Sequence, residues 1–189
     1  EGIAFDWKTI IDRLRQQAYL VKKLRVTVID ARAVGEKIDS TKTFWFKDQG
    51  IEAPSITYYF EGGIQSMVRH YNQHQKPIHE TVFYCEKEQD NVGVEVALQY
   101  VDDISARIVP FANNIYNPEH GTHVTGFKTA LTRLLNNYGK KNNLIKEADG
   151  GFTGDDVLEG LTVVISVKLA EIQFEGQTKA KLGSTEAQG

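Results

Sequence analysis

The residues best placed to do chemistry lie in the run Phe174-Glu175-Gly176-Gln177-Thr178-Lys179, which follows an apolar stretch and precedes a polar end. A lone lysine in a Gly-flanked loop, with the Gln177 amide two residues earlier, can reach out of its own domain and neutralise a phosphate. A second run, Gly121-x-x-x-x-Gly126 followed by Phe127, Lys128 and Thr129, nearly spells a phosphate-binding P-loop. Phe127 stands where that motif needs lysine, and the one-residue shift turns the ammonium about 100° round a helix, away from a cradled phosphate. The residues favour a turn at Gly121 and a helix cap at Thr122 instead.

Other chemistry-bearing residues are better explained by structure. His70 and His74 are four apart and His120 and His123 three apart, spacings that suit metal ligands on a helix, but no Cys or paired carboxylate completes either set. They are expected as exposed or capping histidines, and no metal site is expected. Asp155, Asp156 and Glu159 fall at the start of a short helix, where the backbone dipole favours acids. Charge is more telling. The 189 residues carry a net charge of −3, which argues against a broad nucleic-acid surface, yet no acidic residue occurs from His120 to Lys146 while Lys128, Arg133, Lys140, Lys141 and Lys146 do. Such a stripe is either a confined DNA contact, with Lys128 first among the candidates, or a solvated helix face.

Elements that would position these residues can be read from periodicity. Asp6 reads as an N-cap, with Trp7, Ile10, Ile11, Leu14, Ala18 and Val21 at helical spacing behind it. Residues 24–29, 43–46 and 56–60 read as strands, and Ile64, Met67, Val68 and Tyr71 as a short helix after the Gly62-Gly63 turn. Asp90-Asn91 is a hairpin signal between strands at 81–86 and 92–101. A strand at 106–112 precedes the longest helical stripe, Val124 to Tyr138, which Gly139 is expected to end. Residues 161–169 are dense in Val and Ile, as in a buried central strand. The single Cys85 is expected as a buried, reduced thiol. No apolar run is long enough for a membrane span, so a cytoplasmic location is expected. Beginning at Glu1 rather than Met, the chain reads as a piece of a longer protein.

Three runs taken together, Phe60-Glu61-Gly62-Gly63-Ile64, Phe111-Ala112-Asn113-Asn114-Ile115 with Gly121 to Lys128, and Gln177-Thr178-Lys179, resemble the transducer domain of the ATPase component of bacterial type IIA DNA topoisomerases. Phe5-Asp6-Trp7 with Arg13-Leu14-Arg15, and residues 93–100, extend the likeness over nearly the whole chain. DNA gyrase B is the family member most similar, with its counterpart in topoisomerase IV, or a stand-alone nucleic-acid-binding module of this fold, as alternatives. The resemblance implies an α/β fold, a two-layer sandwich with a mixed sheet and a left-handed β-α-β crossover shared with GHMP kinases. It implies one transducer domain over residues 1–183, with a leading helix at 1–23, a core at 24–169 and a loop at 170–183, then a polar tail at 184–189 that should fray.

In such a protein Gln177 and Lys179 contact the γ-phosphate of ATP, Lys179 acting catalytically, while Lys128, Arg133, Lys140 and Lys141 face DNA. ATP and Mg²⁺ belong to the full-length enzyme, and none is expected to bind this segment alone. Implied partners are the N-terminal ATPase domain of the same polypeptide, gyrase A and double-stranded DNA, with gyrase B forming a homodimer inside a heterotetramer. Without nucleotide, the loop carrying Lys179 is expected to be disordered or displaced.

Overall fold

The computed structural model describes residues 4–34, 52–146 and 150–189, which fall into two compact units, Glu1–Gly63 and Ile64–Gly189. The strand expected at 43–46 lies outside the described residues. In the first unit, α1 (Trp7–Leu20) starts where the Asp6 carboxylate accepts the Thr9 amide at 2.7 Å. The Thr9 hydroxyl and then its amide hold that carboxyl below the usual range. Strands β1 (Arg25–Ile29) and β2 (Ser55–Tyr59) pair antiparallel with Thr27 opposite Thr57. Ala18, Tyr19 and Leu20 are buried, and Tyr19 stacks on Phe60. The Gly62-Gly63 turn needs its second glycine at φ +53°, where the Lys22 side chain lies over it.

The second unit is built on a five-stranded mixed sheet of order β3-β4-β7-β5-β6, comprising β3 (Phe83–Gln89), β4 (Val92–Tyr100), β5 (Arg107–Ala112), β6 (Ile115–Tyr116) and β7 (Leu161–Leu169). β7 is its centre, buried at every position but Lys168, antiparallel to β4 and parallel to β5. Parallel neighbours need a crossover, and α3 (Thr122–Lys141) supplies it. Asp90-Asn91 turns the β3–β4 hairpin with both residues at positive φ, as a tight right-twisted hairpin demands. Asn113-Asn114 does the same for β5–β6, a hairpin hard to read from sequence because β6 is two residues long.

Strand alternation sorts the core. Leu161, Val163, Ile165, Val167 and Leu169 join Leu98 and Ala112 in a cluster closed by Val124, Phe127, Leu131 and Leu135 of α3. On the opposite face α2 (Ile64–Tyr71) buries Ile64, Met67 and Val68. There Thr162 donates to Asn72 Oδ1 at 2.8 Å, and Asn72 Nδ2 donates to Gln99 Oε1 at 3.0 Å. Gln99 donates onward to the His79 carbonyl, so the buried polar chain is satisfied link by link.

Several local expectations change. Gly139 does not end α3; it is buried inside it, and the Ile145 side chain occupies the space a Cβ would need, 2.4 Å away. Thr122 does not cap: the N-cap is Gly121, and the Thr122 hydroxyl donates instead to the Ser184 carbonyl at 2.6 Å. Cys85 is exposed rather than buried, because β3 is the outer strand and pairs only with β4. The tail does not fray but forms a short 3₁₀ turn (Thr185–Gln188) against α3, with Ser184 buried and Ala187 packed on the core. Asp156 has the structural role expected of it, a reciprocal cap with Thr153 in which each side chain accepts the other's amide.

Gly121 is one of the tightest points of this unit. At φ +136° it lies so close to Leu182 that a Cβ would stand 2.4 Å from the Leu182 carbonyl oxygen and 2.5 Å from its nitrogen. Gly121→Ala should therefore cost about 3 kcal/mol through backbone strain and forced displacement, lowering Tm by roughly 5–10 °C. Gly154→Ala, where a Cβ meets nothing within 4 Å, is the control. Equal melting temperatures for the two variants would show that the Gly121–Leu182 approach is not a fixed feature of the fold.

Candidate nucleotide-contacting loop and basic helix

Residues 180–188 run parallel to the residues that enter and begin α3 and are fastened to them at many points. The Leu182 amide donates to the His120 carbonyl at 3.0 Å, the Thr122 amide to the Leu182 carbonyl at 3.1 Å, and the Glu119 amide to the Ala180 carbonyl at 3.0 Å. Gly126, inside the helix, lets the Gln188 backbone approach to where a Cβ would stand. This geometry disposes of the P-loop alternative. The amides at the start of α3 that would cradle a phosphate are already committed, that of Thr122 to the Leu182 carbonyl and those of Val124 and Thr125 to the Gly121 carbonyl.

From this clasp projects the loop at 175–181. Its base is closed by the Glu175 amide donating to the Lys181 carbonyl at 2.9 Å and by a Glu175–Lys181 ion pair. Gly176, at φ +89°, and Lys179, at φ +56°, make the bends. Gln177 and Lys179 are exposed at the tip, with the Lys179 ammonium 5.9 Å above the Phe174 ring. The backbone of the loop is tied to neighbouring segments by hydrogen bonds at its base and at Lys179. Asn117, fully buried, donates from Nδ2 to the Lys179 carbonyl at 2.8 Å. Sequence reasoning passed over Asn117; its signal was only a polar residue in an otherwise apolar strand ending.

The basic candidates separate along α3. Lys128 and Arg133, with Thr129, Thr132 and Asn136, line one shallow depression of about 390 Å³. At 3.6 residues per turn, Arg133 and Lys140 lie about 140° and 120° round from Lys128, whereas Lys141 lies about 220° round. Arg133, Lys140 and Lys141 therefore share an arc of about 100°, with Lys128 about 120° to 140° away from each. Lys128 has a second neighbourhood. It also lines a depression of about 300 Å³ with His120, Thr125, Glu175 and Lys181, at the root of the loop. Burial and then the nearby Lys128 charge push the His120 pKa down. Among the described residues no three His, Cys, Asp or Glu gather as a metal site, and no helix is long and apolar enough to cross a membrane.

The pattern that defines the DNA gyrase B family matches residues 63–189, about two-thirds of the chain. The chain belongs to the DNA gyrase B family. It is similar to the DNA gyrase B of Halalkalibacterium halodurans, 45% identical over 99% of this chain and 26% of the relative. It is also similar to that of Bacillus mycoides, 42% identical over 99% of this chain and 42% of the relative. It therefore spans less than half the length of these relatives. Among solved structures it resembles the 43K ATPase domain of Thermus thermophilus gyrase B in complex with an aminocoumarin, with a TM-score of 0.80 and 34% identity over 99% of this chain and 45% of that one. The family match begins where the second compact unit does, so α2, the five-stranded sheet, α3 and the loop form the part the family pattern defines.

Within that part, His123 was expected to be exposed or capping but is 2% exposed, with neither ring nitrogen bonded among the described residues. Burial, then the neighbouring His120, pushes its pKa down to about 4. A histidine whose folded pKa lies below its unfolded value of about 6.5 favours the folded state while neutral. That contribution is complete above about pH 6.5 and is lost as pH falls toward 4. The difference in urea midpoint between wild type and His123→Gln should accordingly shrink or reverse across this window. A constant difference from pH 7 to pH 4 would show that His123 does not titrate with unfolding.

Proposed function

We propose that this chain is the transducer segment of a gyrase B protein, presenting Gln177 and Lys179 to the γ-phosphate of ATP held by the N-terminal ATPase domain of the same polypeptide. The observation that carries this is the 175–181 loop, braced at its base yet exposed at the two residues able to contact a phosphate. Charge on a transferring phosphoryl group collects on its peripheral and bridging oxygens, so a preorganised ammonium there lowers the barrier. Adenine and Mg²⁺ would be held by residues outside this chain. Hydrolysis removes the anion that Lys179 contacts, and the loop is then free to part from the ATPase domain. Because the same segment is clasped to α3, displacement of the loop is passed to the helix that carries Lys128, Arg133 and Lys140. In the assembled enzyme, two such gyrase B chains with gyrase A would couple that movement to passage of double-stranded DNA and to negative supercoiling.

Two experiments on the full-length protein test the parts separately. Lys179→Ala should lower ATPase turnover by on the order of 10³-fold or more, by analogy with other charge-stabilising groups at phosphoryl transfer. Binding of a non-hydrolysable analogue should fall much less. Turnover within about threefold of wild type, under 1 kcal/mol in barrier, would remove Lys179 from the site.

The DNA role is read from Lys128→Gln in the holoenzyme. Loss of one phosphate contact should weaken DNA-stimulated strand passage and reduce the salt slope of DNA binding by about one unit, with the DNA-independent ATPase near normal. Lys87→Gln, on the outer strand β3, controls for loss of a positive charge elsewhere. If the two variants supercoil equally across a salt titration, Lys128 is ordinary surface charge.

A further inference from the structure

One of the ties to the loop at 175–181 is a side chain from a different segment. Asn117 follows β6 and is wholly buried. Its own backbone is fixed twice, the amide donating to the Pro110 carbonyl at 3.0 Å and the carbonyl accepting the His120 amide at 2.8 Å. From this rigid position Nδ2 donates to the Lys179 carbonyl at 2.8 Å. Oδ1 has no partner among the described residues, so half of the amide is buried at a cost. An apolar residue would avoid that cost, and what it could not supply is the donor to Lys179. The acceptor is a residue at φ +56°, a left-handed conformation that a lysine rarely adopts without something holding it. A hydrogen bond to the carbonyl of a residue in that conformation fixes its peptide plane and hence the direction of its Cα–Cβ bond.

Resting on the reading of Lys179 given above, we propose that Asn117 is a positioning residue for the reaction: its amide donor orients Lys179 so that the ammonium meets the γ-phosphate. Asn117 touches no substrate. Its effect passes through the Lys179 backbone, so it should appear in turnover and not in nucleotide affinity, and it should vanish when the lysine side chain is gone.

The test uses the full-length protein. Asn117→Ala should lower kcat by on the order of 10- to 100-fold, the cost of misplacing a catalytic group by about 1 Å, with KM for ATP within about threefold of wild type. Asn117→Asp keeps the shape and makes the donor depend on pH. Its buried carboxyl donates to the Lys179 carbonyl when protonated and repels it when ionised. The ratio of its kcat to that of wild type should therefore rise as pH is lowered from about 8 to 6. A merely structural role would leave that ratio flat. In a Lys179→Ala background, Asn117→Ala should cause little further loss.

Wild-type turnover in Asn117→Ala, a flat Asn117→Asp ratio, or losses that multiply in full with Lys179→Ala would each overturn the inference. Should Asn117→Ala fail to fold, the pH dependence of Asn117→Asp decides alone. The two readings fail differently. Near-normal turnover in Lys179→Ala removes the phosphate role itself, whereas a large loss there with no effect at Asn117 removes only the positioning role.

Discussion

The close approach of two backbones at Gly121 and Leu182 is the constraint on which the functional end of the molecule depends. A side chain on Gly121 would overlap Leu182 atoms that are themselves hydrogen-bonded, the Leu182 amide to His120 and its carbonyl to Thr122. The same approach fixes where α3 begins and where the segment leaving the 175–181 loop must run. Gly126 extends the contact one turn further by admitting the Gln188 backbone. Two glycines five apart, which in sequence suggested a phosphate cradle, here serve to let one chain segment lie on another. Under the function proposed above, the anion would be met by the loop that these glycines anchor.

This arrangement gives the helix and the loop a shared charge at Lys128. On one side it lies with Arg133 in the depression along α3, and on the other with Glu175 and Lys181 at the loop's base. The Glu175–Lys181 pair is exposed enough to contribute little to stability. Its placement matters more, since it closes the loop next to a cation on the helix. A change in the charge held by the loop would be felt at the first turns of α3 through short contacts rather than through the core. The core itself, built on β7 and the apolar face of α3, is the body to which these contacts are attached.

Features governed by local chemistry were legible in the sequence. Asp6 as a cap, the Asp90-Asn91 hairpin, the apolar β7 and the left-handed Gly63 each follow from a residue's own preferences or its near neighbours. Features set by distant partners were not. Gly139 looked like a helix terminator because its role is written in Ile145, six residues on, and Thr122 looked like a cap because its true partner is Ser184. Cys85 sits in an apolar run that predicts burial, yet strand order put that run at the sheet edge. The polar tail lacked any local reason to be ordered, and its order comes from the groove that Gly126 leaves open. For the candidate site the division is the same. Gln177 and Lys179 are conspicuous by type and spacing, while Asn117 is one ordinary amide 62 residues away.

The distribution of buried polar groups argues that this region was shaped for position rather than for stability. The Asn72–Gln99–Thr162 chain, which joins α2 to the sheet, is satisfied at each link, as a network retained for structure should be. Asn117 and His123, beside the loop and at the start of α3, bury polar atoms without partners among the described residues. Each such atom costs about 1–3 kcal/mol, which is large against the net stability of a domain. Apolar residues of similar size would remove that cost and leave the core of β7 and α3 unchanged. Both residues lie beside the exposed lysine loop and the start of α3, where such a cost in folding fits the positioning role proposed above.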